Sequence, residues 1–279
     1  MTNPEMQPLP LKPSLMRITL LGTGTSCGVP QIGCHCAVCT SQDPRDRRLR
    51  CSALVEEGDT AILLDCSPDF REQMLRLGRD RGLDAVLVTH EHYDHVGGID
   101  DLRPFSYLHD LPLYGDDYAI THLRQRLPYC LVENRYPGVP QITTHIVRPS
   151  QSWTVGSVRV TALPVLHGRL PILGYRLGDV GYVTDMTEMP PEGRELLRGI
   201  KLLIVNALRH EPHPTHQTVS QAIAFSRSLA PDIPTYLIHM SHHLGLHAAE
   251  DALLPPGIHL AYDGLLLEVP CKEENQVHL

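Results

Sequence analysis

Aromatic residues are scarce in this chain, with three Phe and one Trp among 279 residues. Aliphatic side chains must therefore fill whatever core it builds. Basic residues are short as well: 24 Lys and Arg face 32 Asp and Glu, for a formal net charge of −8 with histidine counted neutral. That balance argues against a broad phosphate-binding surface for nucleic acid. It leaves room for a small anionic substrate, because a bound metal reverses the field locally. The longest apolar runs, such as IKLLIVNAL at 200–208, fall far short of the roughly 20 residues that a membrane span takes. The opening stretch MTNPEMQPLPLKPSLMRITLLG has no charged segment leading into an apolar one, so no signal peptide is expected. No repeat with a period of about 20–50 residues is visible, and no low-complexity linker. The expectation is a soluble, cytoplasmic protein with reduced thiols and no membrane partner.

Histidine is what the chain has in excess, with 17 residues that cluster. Eight cysteines in a chain of this length do not read as a secreted disulfide scaffold, which would be shorter and denser. Length alone leaves one large domain or two small ones open, and it suffices to bury roughly three-quarters of the unfolded surface.

The first dozen residues carry three prolines and predict an irregular arm over 1–16. RITLLGTGT (17–25) reads as a strand running into a glycine turn. CSALVEEGDTAILLDCS (51–67) reads as a hairpin turning at Gly58-Asp59. The spacing of Phe70, Met74 and Leu77, with Gly78 as a stop, predicts a helix. LDAVLVTH is a buried strand ending in His90, followed by helical or loop material to about 110 and the short strand LPLYG. Residues 115–150 look irregular and Pro-punctuated. Strand signals return in WTVGSVRVTALPV, in GYRLGDVGYVTD as a hairpin, in KLLIVNAL and in PTYLIHMSH, with a helix over VSQAIAFSRSLA. IHLAYDGLLLEV predicts a closing strand pair turning at Asp263-Gly264. Strands and helices mix throughout, so a single α/β domain with facing sheets is the economical architecture.

Strands repeatedly end in a residue able to hold a metal. VTHEHYDHVGG places His90, His92, Asp94 and His95 directly after a strand. His167 follows TALPVL, Asp185 follows GYVT, and His239 follows TYLI. A lone histidine at a strand end is usually a satisfied core or surface residue. HEHYDH in one turn is not, because such a cluster buried without a cation would be costly. Seven nitrogen and oxygen ligands match two cations sharing a carboxylate, which held about 3.5–4 Å apart can neutralise both attacking and leaving oxygens.

THEHYDHVGG matches the His-x-His-x-Asp-His signature of the metallo-β-lactamase superfamily, and the chain resembles the hydrolases of that superfamily. More narrowly, over about 17–268 it resembles the PhnP-like phosphoribosyl cyclic phosphate phosphodiesterases of the carbon–phosphorus lyase pathway. LGTGTSCGVP, GCHCAVC, HEHYDH, HPTHQT, HMSHH and YDGL carry that likeness in order. The resemblance implies a four-layer αβ/βα sandwich over 17–270, followed by a tail at 271–279. It implies one metal on His90, His92, His167 and Asp185, and a second on Asp94, His95 and His239 with Asp185 bridging. Asp65 resembles the superfamily's carboxylate beside the site, with capping of the SPDF turn as the plainer role. His216 in HPTHQT matches an additional active-site histidine, able to give a proton to a leaving alkoxide or a hydrogen bond to a phosphoryl oxygen. His216 and Asp94 are thus the residues expected in the chemistry. His210 and His213 read as loop residues, and His109, His122, His145, His247 and His259 as structural or surface.

Cys34, Cys36 and Cys39 in GCHCAVC offer three thiols, and tetrahedral zinc needs a fourth ligand. Cys27 and His35 are local options, though His35 would have to fold back between two ligating neighbours. A redox pair and a metal-free buried cluster are the competing readings. The resemblance supplies a structural zinc whose fourth ligand is His242, three positions after His239. Cys51, Cys66, Cys130 and Cys271 read as small buried apolar residues. LGTGTSCG lacks the third glycine of a dinucleotide motif and reads as a tight turn beside the site, where Ser26 or backbone N–H groups could face substrate.

The expected activity is hydrolysis of a small phosphodiester, a cyclic one included, by a hydroxide held between two metals. His/Asp ligation suits Mn, Zn, Fe or Co, and the resemblance points to manganese at the pair beside the separate zinc. The alternatives are carboxylic ester or thioester hydrolysis, an RNA-processing nuclease that the acidic chain disfavours, and a non-catalytic metal-binding protein. A homodimer is compatible with the sequence, which assigns no residue to it.

Overall fold

The computed structural model describes residues 15–79, 81–107, 109–131 and 138–271. Of the expected arm at 1–16, residues 1–14 lie outside these residues and Leu15 and Met16 belong to a strand; of the expected tail at 271–279, residues 272–279 lie outside. In the first half run β1 (Leu15–Gly22), β2 (Ser52–Glu57), β3 (Thr60–Leu64), β4 (Ala85–Leu87), β5 (Leu111–Gly115) and β6 (Ile142–Ile146). With them come the helices α1 (Phe70–Leu77), α2 (Tyr93–Val96) and α3 (Asp117–Arg126). The second half holds β7 (Ser152–Val155), β8 (Val158–His167), β9 (Leu170–Leu177), β10 (Val180–Val183), β11 (Leu202–Asn206), β12 (Thr235–Ile238), β13 (Ile258–Leu260) and β14 (Leu265–Pro270). Its helices are α4 (Pro191–Leu196), α5 (Val219–Leu229) and α6 (His247–Asp251).

Two seven-stranded sheets result, in the orders β14-β1-β2-β3-β4-β5-β6 and β13-β12-β11-β10-β9-β8-β7. The first runs from antiparallel pairs (β14 to β3) to parallel ones (β3 to β6), and the second from parallel pairs (β13 to β10) to antiparallel ones (β10 to β7). Strand alternation explains the layers. On β2 and β3, Ala53, Val55, Ile62 and Leu64 enter the core between the sheets, while Leu54, Ala61 and Leu63 pack outward under α1 and α3. On the far sheet, Leu203, Val205 and Leu237 pack under α5 residues Val219, Ala222 and Phe225. Both faces of β3, β4, β10 and β11 are covered, so these strands read as continuous apolar runs rather than as alternation. This is the four-layer αβ/βα sandwich of the metallo-β-lactamase type. Its central core is aliphatic apart from two fully buried tyrosines, Tyr175 and Tyr182. Tyr175 donates its hydroxyl to the Val88 carbonyl at 2.6 Å. No helix among the described residues is long and apolar enough to cross a membrane.

Three readings of the sequence change. Residues 117–126, expected to be irregular, form α3, whose N-cap Asp116 accepts from Ala119 N–H at 2.7 Å. Its apolar face is only Ala119, Ile120 and Leu123, too narrow to stand out among polar neighbours. The LDAVLVTH run pairs as a strand only over Ala85–Leu87, which leaves His90 three residues past the ladder. The closing strand pair is not a hairpin: β13 joins β12 in one sheet and β14 joins β1 in the other. Asp263 holds this crossover, accepting from Thr23 N–H (2.9 Å), Thr23 Oγ1 (2.9 Å) and Leu49 N–H (2.7 Å).

Candidate metal centre

The strand ends converge on one edge of the sandwich. His167 is the last residue of β8, and Asp65, Asp185 and His239 follow β3, β10 and β12 closely. Asp65, Asp185 and His239 have φ of +56°, +54° and +58°, three of the four such non-glycine residues among those described. Each such conformation costs about 1–3 kcal/mol and persists only where the surroundings impose it. Its concentration here marks the place where the sheets have been shaped for chemistry.

All seven expected ligands are brought together, in overlapping groups whose donor atoms lie within 4.8 Å of one another: His90, His92 and His167; His90, His95 and Asp185; Asp94, His95 and His239. His95 Nε2 lies 3.2 Å from Asp94 Oδ2 and 3.1 Å from Asp185 Oδ2. His239 Nε2 lies 3.5 Å from Asp94 Oδ2 and 3.2 Å from Asp185 Oδ1. A tetrahedral ion with ligands at about 2.0–2.1 Å needs donor-to-donor edges of about 3.3–3.4 Å, so these spacings fit one. His90 Nε2 and His92 Nδ1 are 3.0 Å apart, which makes Nδ1 the donor on His92.

The buried chemistry also fits cations. His95 Nε2, both nitrogens of His239 and His216 Nδ1 are buried and form no hydrogen bond among the described residues. Leaving such atoms unpaired is expensive, and a metal would take up the lone pair that Nε2 of His95 and of His239 would offer it. Burial opposes charge on His95, yet the carboxylates of Asp94, Asp185 and Asp65 outweigh it and hold its imidazole well above the usual range. In the same way burial opposes charge on Asp185, but His239 and His95 keep it well below the usual carboxylate range. Several buried carboxylates around one imidazole form a site that draws positive charge.

The outer nitrogens are fixed by partners that sequence spacing did not reveal. Asp65 Oδ2 accepts from His95 Nδ1 at 2.7 Å, and Thr89 donates its N–H to Asp65 Oδ1 at 2.8 Å. The Thr89 hydroxyl donates to Asp65 Oδ2 at 2.9 Å and so accepts from His90 Nδ1 at 3.0 Å. His167 Nδ1 donates to the Thr215 carbonyl at 2.9 Å. In each case the nitrogen left over, Nε2, faces the centre, which is how histidine ligands are oriented and tuned.

His216 joins the same edge, with its ring centroid 4.9 Å from those of both His167 and His239 and its Nδ1 3.5 Å from Asp185 Oδ1. Burial, and after it His239, pushes His216 down to about 3, so the ring is neutral and carries one proton. His213, read as a loop residue, lies beside it with ring centroids 5.0 Å apart. Its position depends on the fold of loop 209–218, about which the sequence gives no signal. His210 pairs instead with Glu250 at 2.7 Å, and His247 is buried against Arg48. Ser26 and Cys27 are exposed and belong to no donor group.

A second group brings Cys34, Cys36 and Cys39 together with His242. His242 Nδ1 is 3.4 Å from Cys34 Sγ and 3.3 Å from Cys36 Sγ. Cys27 and His35, the local options, stay outside it and are exposed. The His242 imidazole and the Cys39 N–H draw the Cys36 thiol down to about 6, while burial above all pushes Cys39 up to about 11. A Cys36 thiol drawn toward its thiolate beside two further sulfurs and an imidazole suits a closed tetrahedral site. The GTGT turn links the two groups: Thr25 N–H donates to the Met240 carbonyl (3.1 Å), and Met240 N–H donates to the Thr23 carbonyl (3.0 Å). Cys51, Cys66 and Cys130 are buried away from this group and Cys271 is half-buried.

A family model described as a beta-lactamase superfamily domain matches residues 60–240, the span from β3 to His239 and its neighbour. The chain belongs to the metallo-β-lactamase superfamily. Within it, this member is similar to a solved diphosphatase of the PhnP family, with a TM-score of 0.85 and 40% identity over 92% of this chain and 99% of that one. The chain accordingly belongs to the PhnP family of metallo-β-lactamase-fold proteins. Zinc-bound PqqB from Methylobacterium extorquens shares the fold, with a TM-score of 0.70 and 20% identity over 91% of this chain and 100% of that one. An octanoyltransferase of Porphyromonas gingivalis is 46% identical over 252 residues, 90% of this chain. Those residues are 51% of that protein, so the chain spans about half the length of this curated relative.

Proposed function

We propose that this metallo-β-lactamase-fold protein is a metal-dependent hydrolase of a small phosphodiester, a cyclic one included. The observation that carries the reading is the position of Asp185. Its Oδ2 lies 3.1 Å from His95 Nε2, and its Oδ1 lies 3.2 Å from His239 Nε2 and 3.5 Å from His216 Nδ1. A donor oxygen of Asp185 also lies within 4.8 Å of donor atoms of His90 and of His167, which supports a carboxylate shared by both ligand sets, the layout for a pair of cations. His90, His92, His167 and Asp185 would hold one ion, and Asp94, His95, His239 and Asp185 the other, as Mn, Zn or Fe. When bound, such a pair supplies an activated water and neutralises charge developing on phosphorus oxygens.

The chain's own residues do the rest. Asp94 and Asp185 remain ionised and fix His95 and His239 between them. Because His216 is neutral, its single proton serves best as a hydrogen bond to a phosphoryl or leaving ester oxygen, rather than as a full transfer. Cys34, Cys36, Cys39 and His242 would hold a separate structural zinc that tethers the loop after β1 to the end of β12. Kinship with a PhnP-family diphosphatase at 40% identity supports phosphorus chemistry, and the acidic chain supports a small substrate over nucleic acid. A homodimer belongs to the same proposal.

A second reading, acyl ester or thioester hydrolysis, is favoured by the octanoyltransferase name of a relative twice as long. Metal-loaded protein assayed in parallel on bis(4-nitrophenyl) phosphate and an octanoyl thioester separates them. Phosphodiester turnover lost in Asp185→Asn supports the first reading; thioester turnover alone overturns it.

A further inference from the structure

Thr187 sits in a closed ring of hydrogen bonds that contains a ligand position, His167. The Thr215 carbonyl accepts from His167 Nδ1 at 2.9 Å and from the Thr187 hydroxyl at 2.7 Å. A carbonyl oxygen has two lone pairs, so both are used. The Thr187 oxygen in turn accepts from the Gly168 N–H at 2.8 Å, one residue along the chain from His167. Gly168 has φ +61°, and a Cβ there would meet Thr215 Cγ2 at 3.1 Å. Glycine is therefore what lets the 209–218 loop rest against the end of β8.

The same loop is closed at its base by Leu208 N–H donating to Gln217 O (2.9 Å) and Val219 N–H to Arg209 O (3.1 Å). Its outer wall is braced by Arg209, which donates to the carbonyls of Glu211 (3.3 Å) and Pro212 (3.2 Å). Its inner side carries His216 next to Thr215. A carbonyl can only accept, so the Thr215 oxygen dictates that His167 keeps its proton on Nδ1 and offers Nε2 to the centre. The group that fixes this tautomer is thus the backbone of the residue preceding His216.

We infer that Thr187 is a positioning residue, whose hydroxyl locks the Thr215 carbonyl so that the His167 tautomer and the place of His216 are set together. This rests on the metal-centre reading above, and its primary readout is metal affinity, which does not require the substrate to be right. Valine is close to isosteric with threonine, so Thr187→Val removes the hydroxyl while keeping the packing. The expected result is a roughly tenfold weaker hold on the ion bound by His90, His92 and His167 in chelator competition, with faster amide exchange at Gly168. In Thr187→Ser both values should return to within about threefold of wild type. Gly168→Ala, which pushes Thr215 away and leaves the hydroxyl in place, should weaken the same ion. On whichever ester the protein turns over, Thr187→Val should lower kcat with little change in KM. Wild-type metal affinity and Gly168 protection in a folded Thr187→Val protein would overturn the inference. So would a serine variant no better than valine. Absence of phosphodiester turnover in the wild type counts against the proposed function alone.

Discussion

His95 Nδ1 lies 2.7 Å from Asp65 Oδ2, with both side chains fully buried. The pair joins the end of β3 to the turn carrying HEHYDH and leaves His95 Nε2 facing Asp94 and Asp185. In Asp65→Asn an amide N–H can face the imidazole and reverse its tautomer. Metal affinity measured by chelator competition is expected to fall about 10- to 100-fold. An unchanged affinity would show that Asp65 only caps the turn after β3.

His242→Ala should lower zinc content by one per chain on metal analysis, because a Cys₃His set without its imidazole is no longer closed. The site ties the loop after β1 to the end of β12, so the melting temperature should drop by about 5 °C or more. Turnover per folded molecule should change by less than about threefold, since His242 lies outside the Asp185 group. Full zinc stoichiometry in this variant would refute the pairing of His242 with the three thiols.

Acid should destabilise the fold through His247. Burial above all, then Arg48 and Arg45, depresses it from 6.5 to about 4, and the carboxylates of Asp251 and Asp43 offset this only in part. In the fold its Nδ1 is 3.3 Å from Arg48 Nη2, and its backbone N–H donates to Asp46 Oδ1. Between these two values the unfolded chain binds a proton that the folded chain refuses, so stability is lost as pH falls through that window. His247→Asn keeps an acceptor for Arg48 and cannot titrate. Urea unfolding at pH 7.5 and pH 5 should show a smaller loss for the variant, and an equal loss would exonerate His247.

Removing the crossover carboxylate should cost more than its place in a loop suggests. Asp263→Ala leaves the Thr23 and Leu49 N–H groups without their acceptor, a loss of about 2–4 kcal/mol. Chemical denaturation measures it, and a loss under about 0.5 kcal/mol would mean that water replaces the carboxylate.

HEHYDH was legible because its members are neighbours in one turn, where spacing alone brings imidazoles together. His167, Asp185 and His239 were legible as strand ends, since a buried apolar run followed by a polar residue marks where a sheet stops and a site can begin. The hairpin β2–β3 and the helices α1 and α5 followed from local periodicity and turn residues. The narrow face of α3 hid it. The 258–269 segment misled because a turn signal reports a change of direction and not which strand will be the next partner. β13 extends the β12 side of one sheet and β14 the β1 side of the other.

The sequence by itself determined the donor types, their places at strand ends and the pairing of three close thiols with a need for one more ligand. Those properties are local, set by covalent order and by the period of buried runs. The resemblance named His242 as the partner of the cysteines, and the tertiary structure places it beside them; only the tertiary structure decided which nitrogen each histidine offers, and that Thr89, Thr187 and Thr215 hold the tautomers. Hydrogen bonds at 2.7–2.9 Å between residues 24 to 48 positions apart depend on how two sheets stack and where their loops meet. No pattern within a single strand or helix encodes that meeting.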